Sequence, residues 1–174
     1  PNTLHRLHRY KNQSIDSANL DNVVCFAVDI DYKNSQKKNF GDMYLALLDA
    51  GIPPSIIIDT PHGYHVWFLL QNPLIMRWQQ DQNDKWQLRP EAEKALSWYR
   101  SIQNALIHRF IALGYPADRI ANSPARLFRN PTEKNTLHCD LGQRYTMHQL
   151  SDTLESWVLE RSITVPAFRR ILMT

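Results

Sequence analysis

Two carboxylates, Asp29 and Asp31, close the apolar run Asn22-Val-Val-Cys-Phe-Ala-Val-Asp-Ile-Asp31. On a β-strand, residues i and i+2 point to the same side, with Cα atoms roughly 6.6 Å apart at a rise of about 3.3 Å per residue. Two acids so placed repel each other unless a cation lies between them. Carboxylate oxygens suit Mg²⁺ or Mn²⁺, and two such ions about 3.5–4 Å apart form the clamp used in phosphoryl transfer. The plainer reading has Asp29 capping or pairing locally while Asp31 belongs to a solvated loop.

His65 lies in a second apolar run, Tyr64-His-Val-Trp-Phe-Leu-Leu70, directly after a turn that ends in Gly63. A histidine there can reach a phosphate oxygen, ligate a metal or act as acid or base, and it can equally be a satisfied core residue. Gly63 would let a ligand's phosphates approach the backbone. A third group spans Asp118 to Pro131 and holds Arg126 and Arg129. The guanidinium fork chelates phosphate oxygens. On a regular strand these two arginines face opposite ways, so at most one looks into a given cleft. Surface ion pairing accounts for either arginine alone, and turn capping accounts for Asp118.

The elements that must position these residues are legible in outline. Alternation over 22–31 places Val24, Phe26, Val28 and Ile30 on one face, and Val23, Cys25, Ala27, Asp29 and Asp31 on the other. Both faces are apolar until the acids arrive, which predicts a central strand whose end reaches a site. Phe40 to Ala50 reads as a helix closed by Gly51, with Pro53 and Pro54 beyond. Ser55–Asp59 and Tyr64–Leu70 read as a hairpin around Thr60-Pro-His-Gly63, whose proline and glycine suit a type I turn. On its second strand His65, Trp67 and Leu69 share a face; Trp67 could stack on a base or belong to the core.

Residues 73–89, rich in Gln, Asp and Trp, read as a mobile insertion with some helix. Pro90 opens a long helix with Leu96, Tyr99, Ile102, Leu106, Phe110 and Leu113 on its apolar stripe, ended by Gly114. Ala125–Arg129 reads as a strand stopped by Asn130-Pro131. A last helix begins near Thr146, with Gln149 completing a capping box and Leu150, Leu154, Trp157 and Val158 on the buried side. Strands and helices mix without regular β-α-β alternation, so the expected class is α+β, an antiparallel or mixed sheet with helices packed on it.

The chain has 174 residues, 43% of them hydrophobic, enough for one domain with a real core. No apolar run approaches the roughly 18 residues of a membrane span, and mean hydropathy is −0.46, so no membrane partner is expected. Twenty Lys and Arg against 17 Asp and Glu leave a formal charge of +3, which permits a polyanionic partner without proving one. The two cysteines, Cys25 and Cys139, lack C-x-x-C spacing; they point to a reducing, cytoplasmic compartment and to neither a disulfide scaffold nor a four-thiolate zinc site. The start at Pro1 and the stop at Thr174, directly after an arginine-containing apolar stretch, read as a domain of a longer protein.

Taken in order, Val-Asp-Ile-Asp, then Thr-Pro-His-Gly-Tyr-His-Val-Trp-Phe, then Asp118 and Ala-Arg-Leu-Phe-Arg-Asn-Pro resemble the archaeo-eukaryotic primase superfamily. The resemblance covers roughly residues 22–155 and is nearest to the replicase or primase-polymerase branch of plasmid Rep proteins and phages. Asp29 and Asp31 look like its D-x-D/E motif, Gly63-Tyr64-His65 like its small-x-His motif, and Asp118 is the candidate for the third acidic motif. The Arg-Asn-Pro segment there precedes a strand and a Tyr-Thr-x-x-x-Leu helix, similar to Tyr145-Thr146 and Leu150 here. Gly63 stands where many members carry Ser, and His138-Cys139 is too small a set for the zinc element of some members, so no zinc is expected.

The resemblance implies an RRM-like catalytic sheet with a smaller αβ unit. It implies template-dependent nucleotidyl transfer on single-stranded DNA, with NTP or dNTP as substrate and further domains of the same replication protein as partners. Asp29, Asp31 and Asp118 would hold two Mg²⁺ or Mn²⁺ ions. His65 would contact the triphosphate, with Gly63, Arg126, Arg129 and Lys33 around it. Two other readings compete. A rolling-circle-type replication endonuclease would need a nucleophilic tyrosine such as Tyr99, and its His-hydrophobic-His spacing is not met by His62 and His65. A non-catalytic RRM-like nucleic-acid-binding module would leave the Asp29/Asp31 pair unexplained.

Overall fold

The computed structural model describes residues 4–6, 9–10, 20–33, 35–120, 124 and 127–160. Its strands are β1 (Leu4–Arg6), β2 (Arg9–Tyr10), β3 (Leu20–Asp31), β4 (Ile56–Thr60), β5 (Gly63–Ile75), β6 (Trp78–Gln80), β7 (Trp86–Leu88), β8 (Leu127–Arg129), β9 (Thr136–Cys139) and β10 (Arg144–Tyr145); its helices are α1 (Phe40–Asp49), α2 (Pro90–Ala112) and α3 (Met147–Glu160). The main sheet runs β2-β3-β5-β4-β9, antiparallel throughout, and β10 adds one parallel pairing to β5. Two ribbons, β1–β8 and β6–β7, complete the strands. The class is α+β.

After α2 the chain returns to the outer edge of β3. Ala117 bridges Ile30, Asp31 donates its N–H to the Pro116 carbonyl at 3.0 Å, and Asp118 donates its N–H to the Asp29 carbonyl at 2.8 Å. Counting 116–118 as a rudimentary strand, the succession β3-α1-β4-β5-α2-(116–118) has the RRM-like β-α-β-β-α-β form, with β3 and β5 innermost. β2 covers the start of that β3 edge, and the stretch between is closed by α2: Tyr99 Oη donates to the Cys25 carbonyl at 3.0 Å and Gln103 Nε2 to the Ala27 carbonyl at 2.6 Å. A strand edge without a neighbouring strand thus keeps its carbonyls satisfied.

One face of the sheet carries the principal core, in which Phe26, Val28, Ile30, Ile57, Val66 and Phe68 meet Leu47 of α1, Ile102, Leu106 and Phe110 of α2, and Leu150 and Leu154 of α3. The other face carries a small cluster, Ala27, Ile56, Ile58, Trp67 and Phe128. Trp67 is therefore a core residue. Strict alternation along β3 fails at one place. Val23 is fully buried in the principal core with Phe26, and Val24 is half-buried, because the register slips between Val23 and Cys25. Between the Val23–Leu74 and Cys25–Leu69 pairs the single residue Val24 faces four residues of β5, 70–73, so the surplus lies on β5 and the ladder is interrupted there.

The helix ends follow local chemistry. Asn39 caps α1 through its side chain, and Gly51 follows the helix at φ 71°. Gly114, at φ 85°, follows α2. Thr146 and Gln149 form the reciprocal capping box of α3, at 2.8 and 3.1 Å. No described residue of the Pro61-His62 connection has positive φ, as a type I turn requires. Segment 73–89 is a correction: it holds no helix. It completes β5 and then folds into the β6–β7 hairpin, fastened to the start of β3 by Trp78 Nε1 on the Leu20 carbonyl at 2.9 Å. Ala125 and Arg126 lie outside the described residues, as does the side chain of Val158.

Candidate active site

The site follows from the register of three adjacent segments. Asp29 lies opposite His65 and Asp31 opposite Gly63 in the β3–β5 ladder. Because the Asp29 carbonyl bonds outward to Asp118, Asp29 and His65 form a non-hydrogen-bonded pair, the kind that brings facing side chains closest. Asp118 lies across from Asp29 on the other side. Ile30 and Ala117, the neighbouring pair, both enter the principal core, so the alternating pleat directs Asp29 and Asp118 together to the opposite face. His65, Asp29 and Asp118 thus form a row across the sheet, with Asp31 one step further toward the strand end.

His65 Nε2 is 3.7 Å from Asp29 Oδ1, with only 10% and 18% of the two side chains exposed. The Arg129 backbone N–H donates to His65 Nδ1 at 3.3 Å, and Phe128 sets its ring edge-on to the imidazole, 5.0 Å between centroids. With Nδ1 accepting, the neutral ring carries its proton on Nε2. His65 is therefore oriented as a donor on the acidic side of the cleft.

The other expected participants fall out differently. Asp31 Oδ1 accepts the Lys33 backbone N–H at 2.9 Å, and Asp118 Oδ1 accepts that of Ile120 at 2.9 Å. Both carboxylates close local turns as well as facing the cleft. Lys33 is exposed in a left-handed conformation, φ 44°. Arg129 reaches His65 through its main chain, and Arg126 lies outside the described residues. Gly63 lies tight against β3. The space left by its missing side chain is occupied by β3, since a Cβ there would lie 1.7 Å from the Ile30 carbonyl oxygen. Glycine serves strand approach at this position, and a serine would not fit.

The endonuclease reading loses its nucleophile. Tyr99 is buried, stacks on Phe26 at 4.4 Å and commits its hydroxyl to the Cys25 carbonyl.

Sequence reasoning missed four contributors. Phe128 looked like a strand filler. Gln103 carried a usable signal, a polar residue on the apolar stripe of α2 between Tyr99 and Leu106. Lys37 holds the Asp59 carboxylate, donates to the Thr60 carbonyl at 2.8 Å and lies over the Tyr64 ring at 4.4 Å. It pins the loop after Asp31 to the hairpin that presents His65. Lys38 extends this brace toward Asp118: its carbonyl accepts the Tyr64 hydroxyl at 2.6 Å and its Nζ donates to the Gly114 carbonyl at 3.2 Å. Burial first, then neighbouring Asp59, pushes the Tyr64 phenol pKa upward, which keeps it a donor.

Carboxylate oxygens are the donors that Mg²⁺ or Mn²⁺ takes, and the face that Asp29 and Asp118 share suits such an ion in kind. As they stand the acids do not converge: among the described residues, no group of three or more His, Cys, Asp or Glu is gathered closely enough to hold a metal.

The comparison with solved structures bears on the fold, an RRM-like α+β sheet. That fold is similar to the solved AEP domain of the primase-polymerase (PrimPol) of cyanophage S-2L, with a TM-score of 0.56, 15% sequence identity, and coverage of 88% of this chain and 70% of that one. No protein-family model matches the chain. A search among curated proteins also finds no match. Among the described residues no helix is long and apolar enough to cross a membrane.

Proposed function

We propose that the chain is the catalytic domain of a primase-polymerase, a template-dependent nucleotidyltransferase that makes or extends primers on single-stranded DNA in plasmid or phage replication. The observation that carries this reading is the row His65–Asp29–Asp118, with Asp31 beside it. The nearly buried His65 lies beside Asp29 at the end of a central strand, and Asp118 and Asp31 share that face of the sheet. In the reaction a 3′-hydroxyl oxygen bonds to the α-phosphorus of an incoming nucleotide, the bond to the bridging oxygen breaks, and pyrophosphate leaves.

Asp29, Asp31 and Asp118 would hold divalent ions once their carboxylates draw closer than they stand here, and such ions would supply Lewis-acid activation of the hydroxyl and charge neutralisation on the triphosphate. His65 Nε2–H donates toward a phosphate oxygen, and the Arg129 N–H fixes the ring for that task. The chain otherwise has little covalent work to do; placement of charge carries the rate. Template contact is expected to be electrostatic and stacking in character, hence salt-sensitive.

A non-catalytic nucleic-acid-binding module draws support from Asp31 and Asp118, whose carboxylates each close a turn. Labelled-nucleotide incorporation on a single-stranded template with Mg²⁺ or Mn²⁺ separates the two. Templated product from wild type, lost in Asp29→Ala/Asp31→Ala, supports the enzyme. Template binding without product from the wild-type chain supports the module.

A further inference from the structure

An open groove of about 390 Å³ lies where β5 ends and α2 begins, lined by Ile75, Arg77, Arg89, Glu91, Ala92 and Ala95. Arg77 and Arg89 extend the β6–β7 ladder by one step, since Trp78 pairs with Leu88 and the Arg89 N–H bonds to the Arg77 carbonyl at 2.8 Å. Two like charges directly across a ladder oppose strand pairing. No described carboxylate lies within ion-pair distance of either guanidinium, although Glu91 stands on the same rim. Glu91 and Glu93 already answer the positive end of α2. The facing arginines are what remains uncompensated, and an anion between them would reverse their effect.

The groove is remote from the acidic site. It adjoins Ile75, which pairs with Asn22, seven residues along β3 from Asp29, the partner of His65, or roughly 23 Å at about 3.3 Å per residue. A nucleotide at His65 does not span that length; an extended polyanion does. We propose that Arg77 and Arg89 form a docking site for the phosphodiester backbone of the single strand on which the enzyme acts, away from the reacting end. This rests on the nucleic-acid partner of the proposed function.

The test measures binding of labelled oligothymidylate to the full chain against salt concentration, for wild type, Arg77→Gln/Arg89→Gln and Glu91→Gln. Each phosphate contact contributes about 0.7 to the slope of log affinity on log salt for single strands, so the double variant is expected to lose about 1.4. Between 50 and 200 mM salt its affinity would then fall about sevenfold less than that of wild type. Glu91→Gln is expected to bind the strand more tightly, and thymidine triphosphate binding should be the same in all three.

An unchanged slope in the double variant, with wild type binding well, overturns the groove and leaves the proposed function standing. Equal losses for strand and triphosphate also overturn it, as a general charge effect. Wild type that binds no single strand at low salt overturns the groove and the nucleic-acid partner together. Arginine-dependent binding to phosphatidylserine vesicles, without arginine dependence on the strand, assigns the groove to a membrane surface and overturns the proposal.

Discussion

His65 faces Asp29 across the β3–β5 ladder with Nε2 3.7 Å from Oδ1, while its other ring nitrogen accepts the Arg129 backbone N–H. One histidine therefore joins the acidic strand end to β8, the strand that β1 covers. The two contacts use different nitrogens, so they can be removed separately.

Replacing Asp29 by Asn keeps the shape of the side chain and removes its charge. Nucleotide incorporation is expected to fall by more than about a hundredfold, the scale seen when a preorganised electrostatic group is lost. Thermal unfolding should stay close to wild type, because neutralising one acid relieves repulsion with Asp31 and Asp118. A variant that retains activity, or one that loses both activity and fold, would sink the assignment of Asp29 to the chemistry.

For His65, two substitutions divide structure from function. His65→Ala leaves the Arg129 N–H without its acceptor, at about 1–3 kcal/mol for a buried group, and removes the ring against which Phe128 packs. His65→Asn places an amide oxygen where Nδ1 stood and should recover much of that stability. Both variants lack the Nε2 donor, so both should bind nucleotide more weakly while template binding changes less. Recovery of nucleotide affinity in the Asn variant would show that His65 acts through Arg129 alone.

The acidic strand, the hairpin and the three helices were legible because each carries local chemistry: alternation, a Pro-His-Gly turn, Asn39, Gly51 and Gly114 at helix ends, and the Thr146–Gln149 box. What was not legible depends on partners distant in sequence. Gly63 looked like room for a phosphate, yet the room belongs to the Ile30 carbonyl, 33 residues earlier. Val23 broke alternation where the ladder is interrupted, with four residues of β5 facing one of β3, a pairing that β3's own sequence does not carry. The β6–β7 hairpin has no alternating apolar pattern; its pairing is stabilised by Trp78 on Leu20 and by the Asp81 carboxylate, which accepts the Asn83 and Lys85 N–H groups at 2.8 and 2.9 Å. The brace from Lys37 and Lys38 could not be told from ordinary surface charge.

Gly63 supplies a direct check on the register. Any side chain there must displace β3, so Gly63→Ala is expected to cost at least about 3 kcal/mol, in the range reserved for overpacking or backbone conflict. For a domain of this size that is a fall in Tm of roughly 10 °C. Gly41→Ala makes a mild control, because its nearest atom is the Asn39 side-chain oxygen at 3.2 Å and no backbone stands in the way. Equal Tm values for Gly63→Ala and wild type, read by calorimetry, would place Gly63 away from β3.

Alkaline pH tests the burial of two acids that the chemistry does not use. Full burial pushes the Cys25 thiol pKa well above its ordinary value, and burial lifts the Tyr145 phenol to about 12 despite an opposing hydrogen bond with Gln143. In each case the folded chain keeps a proton that the unfolded chain releases. Stability is therefore complete below the unfolded pKa values and is lost as pH rises, first near 9 for the thiol and then from 10 toward 12 for the phenol. Urea midpoints should decline in two stages; Cys25→Ala should flatten the first and Tyr145→Phe the second. Thiol titration gives an independent reading: the native chain should react at exposed Cys139 alone, and Cys25 should join only on unfolding. Rapid labelling of both thiols in the native chain, with one monotonic alkaline curve shared by all variants, would contradict a buried Cys25 on the central strand.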